Sequence, residues 1–178
     1  STLPKMPNVV AQRHSMPNMV IVKYERELLE HIDSGLVTGV SAPTATGKTR
    51  YIPYMLVKHR QGSKVRVAIP TTVAVRDACK FVRRHCAFRV GFAAARQIAY
   101  DDKDDIVYAT TGHFTNLLIT MIKEGASRAD IRAKLGDVLM IDEVHLLTKD
   151  TTMLMGLVLE VFPELRHELR GGLVAGSA

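Results

Sequence analysis

The chain has 178 residues, 47% of them apolar and 24% charged, a balance that suits one domain with a sizeable core and excludes a disordered chain. A net charge of +6 suits a polyanionic partner without requiring one. No apolar run reaches the roughly 18 to 20 residues that span a bilayer, and the start lacks a signal peptide's layout. Cys79 and Cys86 have no second cysteine or histidine pair to complete a zinc site. A soluble, intracellular protein with buried free thiols is expected, with the cytoplasm favoured and no membrane insertion.

In chain order, residues 1–22 contain Pro4, Pro7 and Pro17 and no sustained period, which predicts an N-terminal arm or linker before a domain over 23–178. Leu28, Leu29 and Ile32 recur at helical spacing, and Gly35 closes that helix. Short β-branched runs at 36–42, 65–70, 105–110, 137–142 and 172–178 predict strands, with a further short one over 88–92. Amphipathic stretches at 48–60, 72–85, 112–123, 128–134 and 151–169 predict helices between them, with Pro163 as a kink or stop. Near-continuous apolar strands alternating with helices imply an α/β domain: a mainly parallel central sheet covered on both faces, with ligands at the carboxyl ends of its strands.

Two motifs fall at such ends. Pro43, Thr44, Ala45, Thr46, Gly47, Lys48 and Thr49 follow a predicted strand and open a predicted helix. A polyphosphate needs inward backbone amides, the positive end of a helix dipole, a cation and a hydroxyl for magnesium. The loop from Thr44 to Gly47 offers the amides, Lys48 the cation and Thr49 the hydroxyl, with Arg50 beside them as a further nucleotide contact. The strict pattern is not met, since Ala42 stands where the first glycine would be; the bland alternative is a strand-turn-helix with an accidental Gly-Lys-Thr.

The second motif is Asp142-Glu143-Val144-His145, at the end of the apolar run Val138 to Ile141. A carboxylate at the tip of a buried strand can hold magnesium, partly through water, while its neighbour orients the attacking water. Asp142 is the expected metal ligand and Glu143 the water-orienting group, with His145 relaying the state of the site. An Asp-Glu pair after a strand is otherwise a common helix cap; the phosphate loop upstream favours the catalytic reading.

These residues resemble the superfamily 2 DExH helicases, the group of viral RNA helicases and cellular DEAH-box proteins, and specifically their first RecA-like domain. That group commonly reads Ala-x-Thr-Gly-x-Gly-Lys-Thr at the loop, so Ala42 is typical and Ala45, in a glycine's place, is the departure. If that position needs a positive φ, alanine costs on the order of 1 kcal/mol there. Ile69 to Arg76 resembles the family's motif Ia, Val90-Gly91-Phe92 with Arg96 its VGxxxR strand, and Tyr108 to Gly112 with Leu117 and Leu118 its motif Ib. Ala175 to Ala178 resembles the opening of motif III, where Ser177 and Ala178 would couple hydrolysis to movement.

The resemblance implies ATP or another NTP with Mg2+, and coupling of hydrolysis to translocation on, or unwinding of, single-stranded or partly duplex nucleic acid, with RNA favoured and a viral replication complex as one setting. It implies backbone contacts from Pro70, Thr71, Thr72, Arg76, Thr110, Thr111 and Gly112, although each threonine could equally serve as an ordinary helix cap. It also implies a partner, the second RecA-like domain of the same polypeptide, as the source of catalytic arginines. The chain, ending within motif III, is expected to bind NTP weakly and hydrolyse it poorly by itself. A catalytically silent NTP- or RNA-binding scaffold and a P-loop phosphotransferase are the alternatives. Outside the motifs, His113 is expected to be exposed, Lys80, Arg83 and Arg84 to be a solvated basic face, and Met153 to Met155 to pack in the core.

Overall fold

The computed structural model describes residues 16–34, 37–43, 46–146, 148–161 and 173–177. Seven strands form one sheet: β1 (Val37–Ser41), β2 (Val65–Ile69), β3 (Val90–Ala94), β4 (Gln97–Ala99), β5 (Ile106–Thr110), β6 (Val138–Ile141) and β7 (Leu173–Ser177). Their order is β1-β7-β6-β2-β5-β3-β4, and every pairing is parallel except that of β3 with β4.

Strand alternation feeds two cores. Val65, Val67, Ile69, Val138 and Met140 face a cluster with Ile52, Met55 and Leu56 of α2 (Lys48–His59) and Val75 and Val82 of α3 (Thr72–His85). Ala68, Ala109, Leu139 and Ile141 face a second cluster. That cluster contains Phe114 and Leu118 of α4 (Thr111–Lys123), Ile131 and Leu135 of α5 (Arg128–Leu135), and Leu154 of α6 (Lys149–Gly156). Such two-sided burial is why β6 reads as an unbroken apolar run and why β2 is buried throughout, Arg66 being its one charged residue. Helix α1 (Glu25–Ser34) joins the first cluster through Leu28 and Ile32.

The helices start where short polar side chains can close them. Thr71, Thr110, Ser127 and Thr148 each accept a hydrogen bond from a backbone N–H in the first turn of α3, α4, α5 and α6. Caps of this kind contribute about 1 kcal/mol each.

Four expectations are corrected. Residues 16–22 are not an extended arm: Val20–Tyr24 forms a 3-10 turn, Ile21 is buried, and Met16, Met19 and Val22 pack against the first cluster. The short strand lies at Val90–Ala94 and turns through Ala95 (φ 54°) into β4, a hairpin whose three-residue, largely exposed return strand is too short to show a period. The helix over 151–169 begins earlier, at Lys149, because Thr148 caps it, and gives way to a wide π-type turn over Leu157–Val161. Met153 is partly exposed at 39%, while Leu154 beside it is fully buried, so only part of the Met-rich stretch is core. Residues 1–15, Gly35 and Pro163 lie outside the described residues. Cys79 and Cys86 are buried free thiols, and no described helix is long and apolar enough to cross a membrane.

Candidate active site

The parallel order places β1, β7 and β6 side by side, so the loop after β1 and the acidic turn after β6 meet at one edge of the sheet. Gly47 takes φ 94° at the start of α2, a left-handed conformation natural to glycine, and its carbonyl accepts from the Arg50 and Tyr51 amides. A Cβ on Gly47 would also lie 2.3 Å from the sulfur of Met19. Thr46 closes the loop by donating its hydroxyl to the Pro43 carbonyl at 2.9 Å. Thr44 and Ala45 lie outside the described residues, as does the backbone angle on which the cost of Ala45 depends.

Lys48, the first residue of α2, is 5% exposed; its Nζ donates to the Ala42 carbonyl at 3.3 Å and stands 3.8 Å from Glu143 Oε1. A buried ammonium with, among the described residues, a single carbonyl donor bond and one distant carboxylate keeps capacity for a further anion. Thr49 donates its hydroxyl to Asp142 Oδ2, so loop and acidic turn are joined by a direct hydrogen bond. Asp142, 3% exposed, is fixed by its own N–H to the Ala68 carbonyl at 2.9 Å, and its Oδ1 accepts from the Glu143 N–H at 3.0 Å. Tyr108, with its hydroxyl held well above its ordinary pKa by burial, donates to the Thr49 carbonyl at 2.9 Å and ties α2 to β5.

Glu143 has φ 57°, in the left-handed region that a side chain occupies at a cost of roughly 1–2 kcal/mol. That turn aims its carboxylate between Lys48 and His145, whose Nε2 is 3.1 Å from Glu143 Oε2. The strained backbone at Glu143 thus sits beside the buried Lys48 cation and the buried Asp142 carboxylate. The Thr49 hydroxyl and Asp142 carboxylate are adjacent oxygen donors of the kind a hard cation takes. Among the described residues no group of three or more His, Cys, Asp or Glu could cage a metal, so a cation here would need water and phosphate oxygens as well.

Other site expectations fare differently. Arg50 lays its guanidinium over the Phe81 ring, 4.3 Å from its centre, which packs α2 on α3. Ser177 is at the end of β7, in register with Ser41 of β1, while Ala175 pairs with Ile141 of β6. The strand carrying Ser177 is thus wedged between loop and acidic turn; its side chain and all of Ala178 lie outside what is described.

The threonine set divides. Thr71 and Thr110 cap α3 and α4, as their ordinary alternative had it. Thr111 is 1% exposed, because α6 lies across the first turns of α4, where Thr115 donates to the Asp150 carbonyl. In this arrangement its side chain is closed off from the groove surface, unlike the expectation of an exposed contact. Pro70 and Thr72 are partly buried, and Thr71 and Arg76 are exposed. Thr72, Thr110 and Gly112 line one open groove of about 490 Å3 at the carboxyl ends of β2 and β5, with His113 and Asn116. His113 is half-buried rather than exposed, its Nε2 3.0 Å from the Tyr100 hydroxyl, and burial lowers its pKa. Arg83 is not simply solvated either: its Nε donates to the Val90 carbonyl at 2.7 Å.

Two features of the site escaped sequence reasoning. Ile21 donates its N–H to the Thr46 carbonyl at 3.2 Å, so the stretch before α1 holds the phosphate loop from outside. Glu25, at the head of α1, takes hydrogen bonds from Tyr51 and His59 on α2; burial raises its pKa, but these bonds outweigh it and the net shift is downward. The apolar run Val20-Ile21-Val22 was the available signal, too short to show a period.

No family model matches the chain. It is 24% identical over 164 residues to the probable ATP-dependent RNA helicase DHR2 of Saccharomyces cerevisiae, covering 92% of this chain and 22% of that protein. It is 27% identical over 175 residues to the ATP-dependent RNA helicase DEAH13 of Arabidopsis thaliana, covering 90% of this chain and 13% of the relative. The chain is a homologue of the superfamily 2 DExH-box helicases. The ATP-dependent RNA helicase HrpA of Borreliella burgdorferi adds 24% identity over 147 residues, 79% of this chain and 17% of the relative. Two crystal structures of the Escherichia coli helicase HrpB superpose with TM-scores of 0.73 and 0.75 at 20% and 22% identity, covering 90% and 92% of this chain and 20% of each of those chains. The fold is that of a DEAH-helicase RecA-like domain. The chain spans about a fifth or less of the length of these relatives. They come from a yeast, a plant and a bacterium, so they lend nothing to a viral replication role.

Proposed function

We propose that residues 23–178, together with the docked segment from Met16, act as the first RecA-like domain of an ATP-driven helicase motor. In this reading ATP places its terminal phosphates between the loop at Pro43 to Gly47, Lys48 and the amino end of α2. The observation that carries it is the joining of Lys48, Thr49, Asp142 and Glu143, far apart in sequence, at the carboxyl ends of β1 and β6, the parallel strands that flank β7.

Phosphoryl transfer to water is mostly a matter of placing the reactants and neutralising charge. Lys48 would neutralise phosphate oxygens from a pocket where water screens it little. Thr49 and Asp142 would hold Mg2+, which supplies charge neutralisation at the phosphates when bound. Glu143, held by its left-handed backbone, would orient a water and accept its proton; His145 would steady the Glu143 carboxylate and sense its charge. The arginines that complete charge neutralisation in the family would come from a second RecA-like domain, a contribution worth roughly 10³ to 10⁵ in rate. The chain alone should therefore hydrolyse ATP slowly.

The groove at Thr72, Thr110 and Gly112, with Thr71 and Arg76 at its approach, would hold the sugar-phosphate backbone of a strand. RNA is the favoured strand because the relatives are named RNA helicases. The test is nucleotide binding and RNA-stimulated phosphate release by the 178-residue chain, alone and with Glu143→Gln. Binding of ATP with slow release, slowed further at least tenfold by Glu143→Gln, is expected. No nucleotide binding at millimolar ATP and magnesium would overturn the motor reading in favour of a silent scaffold.

A further inference from the structure

On α4, His113, Asn116, Leu117 and Thr120 recur at helical spacing and all line the groove, opposite Thr72 and Ala95 of the hairpin turn. A surface that only grips phosphates needs hydroxyls, amides and cations. Beside the Thr120 hydroxyl, this stripe adds an apolar side chain, an imidazole and a carboxamide, a set with more than phosphate grip requires. Among the described residues the Asn116 side chain makes no hydrogen bond within the protein, and it is exposed to the groove. His113 is built in more firmly: the Tyr100 hydroxyl is 3.0 Å from its Nε2, and its ring stands edge-on to Tyr100 and Phe114, 5.7 Å from each. Burial lowers its pKa, so at neutral pH it is an uncharged ring and not a phosphate-binding cation.

We propose that this groove accepts one unstacked base of the bound strand, seats the base's face against Leu117, and reads its edge through Asn116, with His113 held by Tyr100 as the adjoining wall. The inference rests on the nucleic-acid reading above and deepens it from backbone grip to base preference. A carboxamide presents a donor beside an acceptor, the complement of the N6 amine and N7 of adenine, so adenine is the base best matched. His113 adds shape and one ring nitrogen whose donor or acceptor role is set by the bond the other makes to Tyr100.

The experiment measures binding of equal-length labelled oligo-A, oligo-U and oligo-C RNA to the 178-residue chain at one salt concentration, together with an A strand carrying 7-deazaadenine, which lacks N7. Wild type is expected to prefer A over U by about five- to tenfold, in line with a bidentate base contact. Asn116→Ala should bring A down to the level of U while leaving U within twofold, and the 7-deaza strand should behave likewise on wild type. Tyr100→Phe, which frees the imidazole, should shrink the preference without changing U. Equal affinity of wild type for all strands, or an undiminished A preference in Asn116→Ala, would overturn the inference alone. Absence of binding to every strand would overturn the nucleic-acid reading and this inference with it.

Discussion

The two ends of the parallel sheet treat polar groups in opposite ways. At the amino end, Arg66 of β2 is 1% exposed, yet its guanidinium donates to the carbonyls of Val65, Asp102 and Asp104. Around it Lys64 bonds Asp105 and the Lys103 carbonyl, and Lys134 pairs with Asp102. Charge is consumed there in stitching the 101–105 loop to the strand ends. At the carboxyl end, Lys48 is nearly as buried but has one carbonyl and a carboxylate 3.8 Å away, beside a glutamate in a left-handed turn. Both terminal nitrogens of Arg66 are bonded, although its buried Nε has no partner among the described residues, so most of that charge is used in holding the fold. The Lys48 ammonium uses one donor among the described residues, which costs stability and leaves capacity for a ligand.

That contrast can be broken at either end. The largest effect should come from Glu143→Gln, lowering single-turnover phosphate release by about 10² or more with the melting temperature nearly unchanged. A melting loss as large as the activity loss would mean that the turn is structural. Next is Arg66→Met, which leaves loop carbonyls without their donors and should cost about 3 kcal/mol in urea unfolding while nucleotide affinity holds. Gly47→Ala places a Cβ on a φ of 94° and against Met19, and should cost about 1–2 kcal/mol together with a clear loss of nucleotide affinity. If affinity survives, the loop is not held by the Met19 segment in the bound state.

The smallest effect is one of pH. Burial lowers the His113 pKa below its ordinary 6.5, so the folded form binds fewer protons than the unfolded one as the solution is acidified. Its contribution is complete above about pH 6.5 and is lost as pH falls below that value. Urea titrations should show stability dropping over that range by a margin that His113→Gln removes; an identical pH profile in the variant would place the titrating group elsewhere.

From the sequence alone came the elements with a strong period or apolar run, and with them the position of the loop before α2 and of the acidic turn after β6. Residue type and local order suffice when a motif sits between a strand and a helix, because chain direction dictates where backbone amides and side chains point. Tertiary packing decided what had no local signature. The hairpin strand β4 exists because β3 offers it an edge, and Val20–Tyr24 turns helical against a core it cannot form alone. Thr111 is buried where α6 crosses α4, Arg50 stacks on Phe81, and His113 becomes half-buried against Tyr100, all through partners distant in sequence. Whether a polar side chain caps, packs or faces a ligand depends on which neighbour arrives first across the fold, and that neighbour is written elsewhere in the chain.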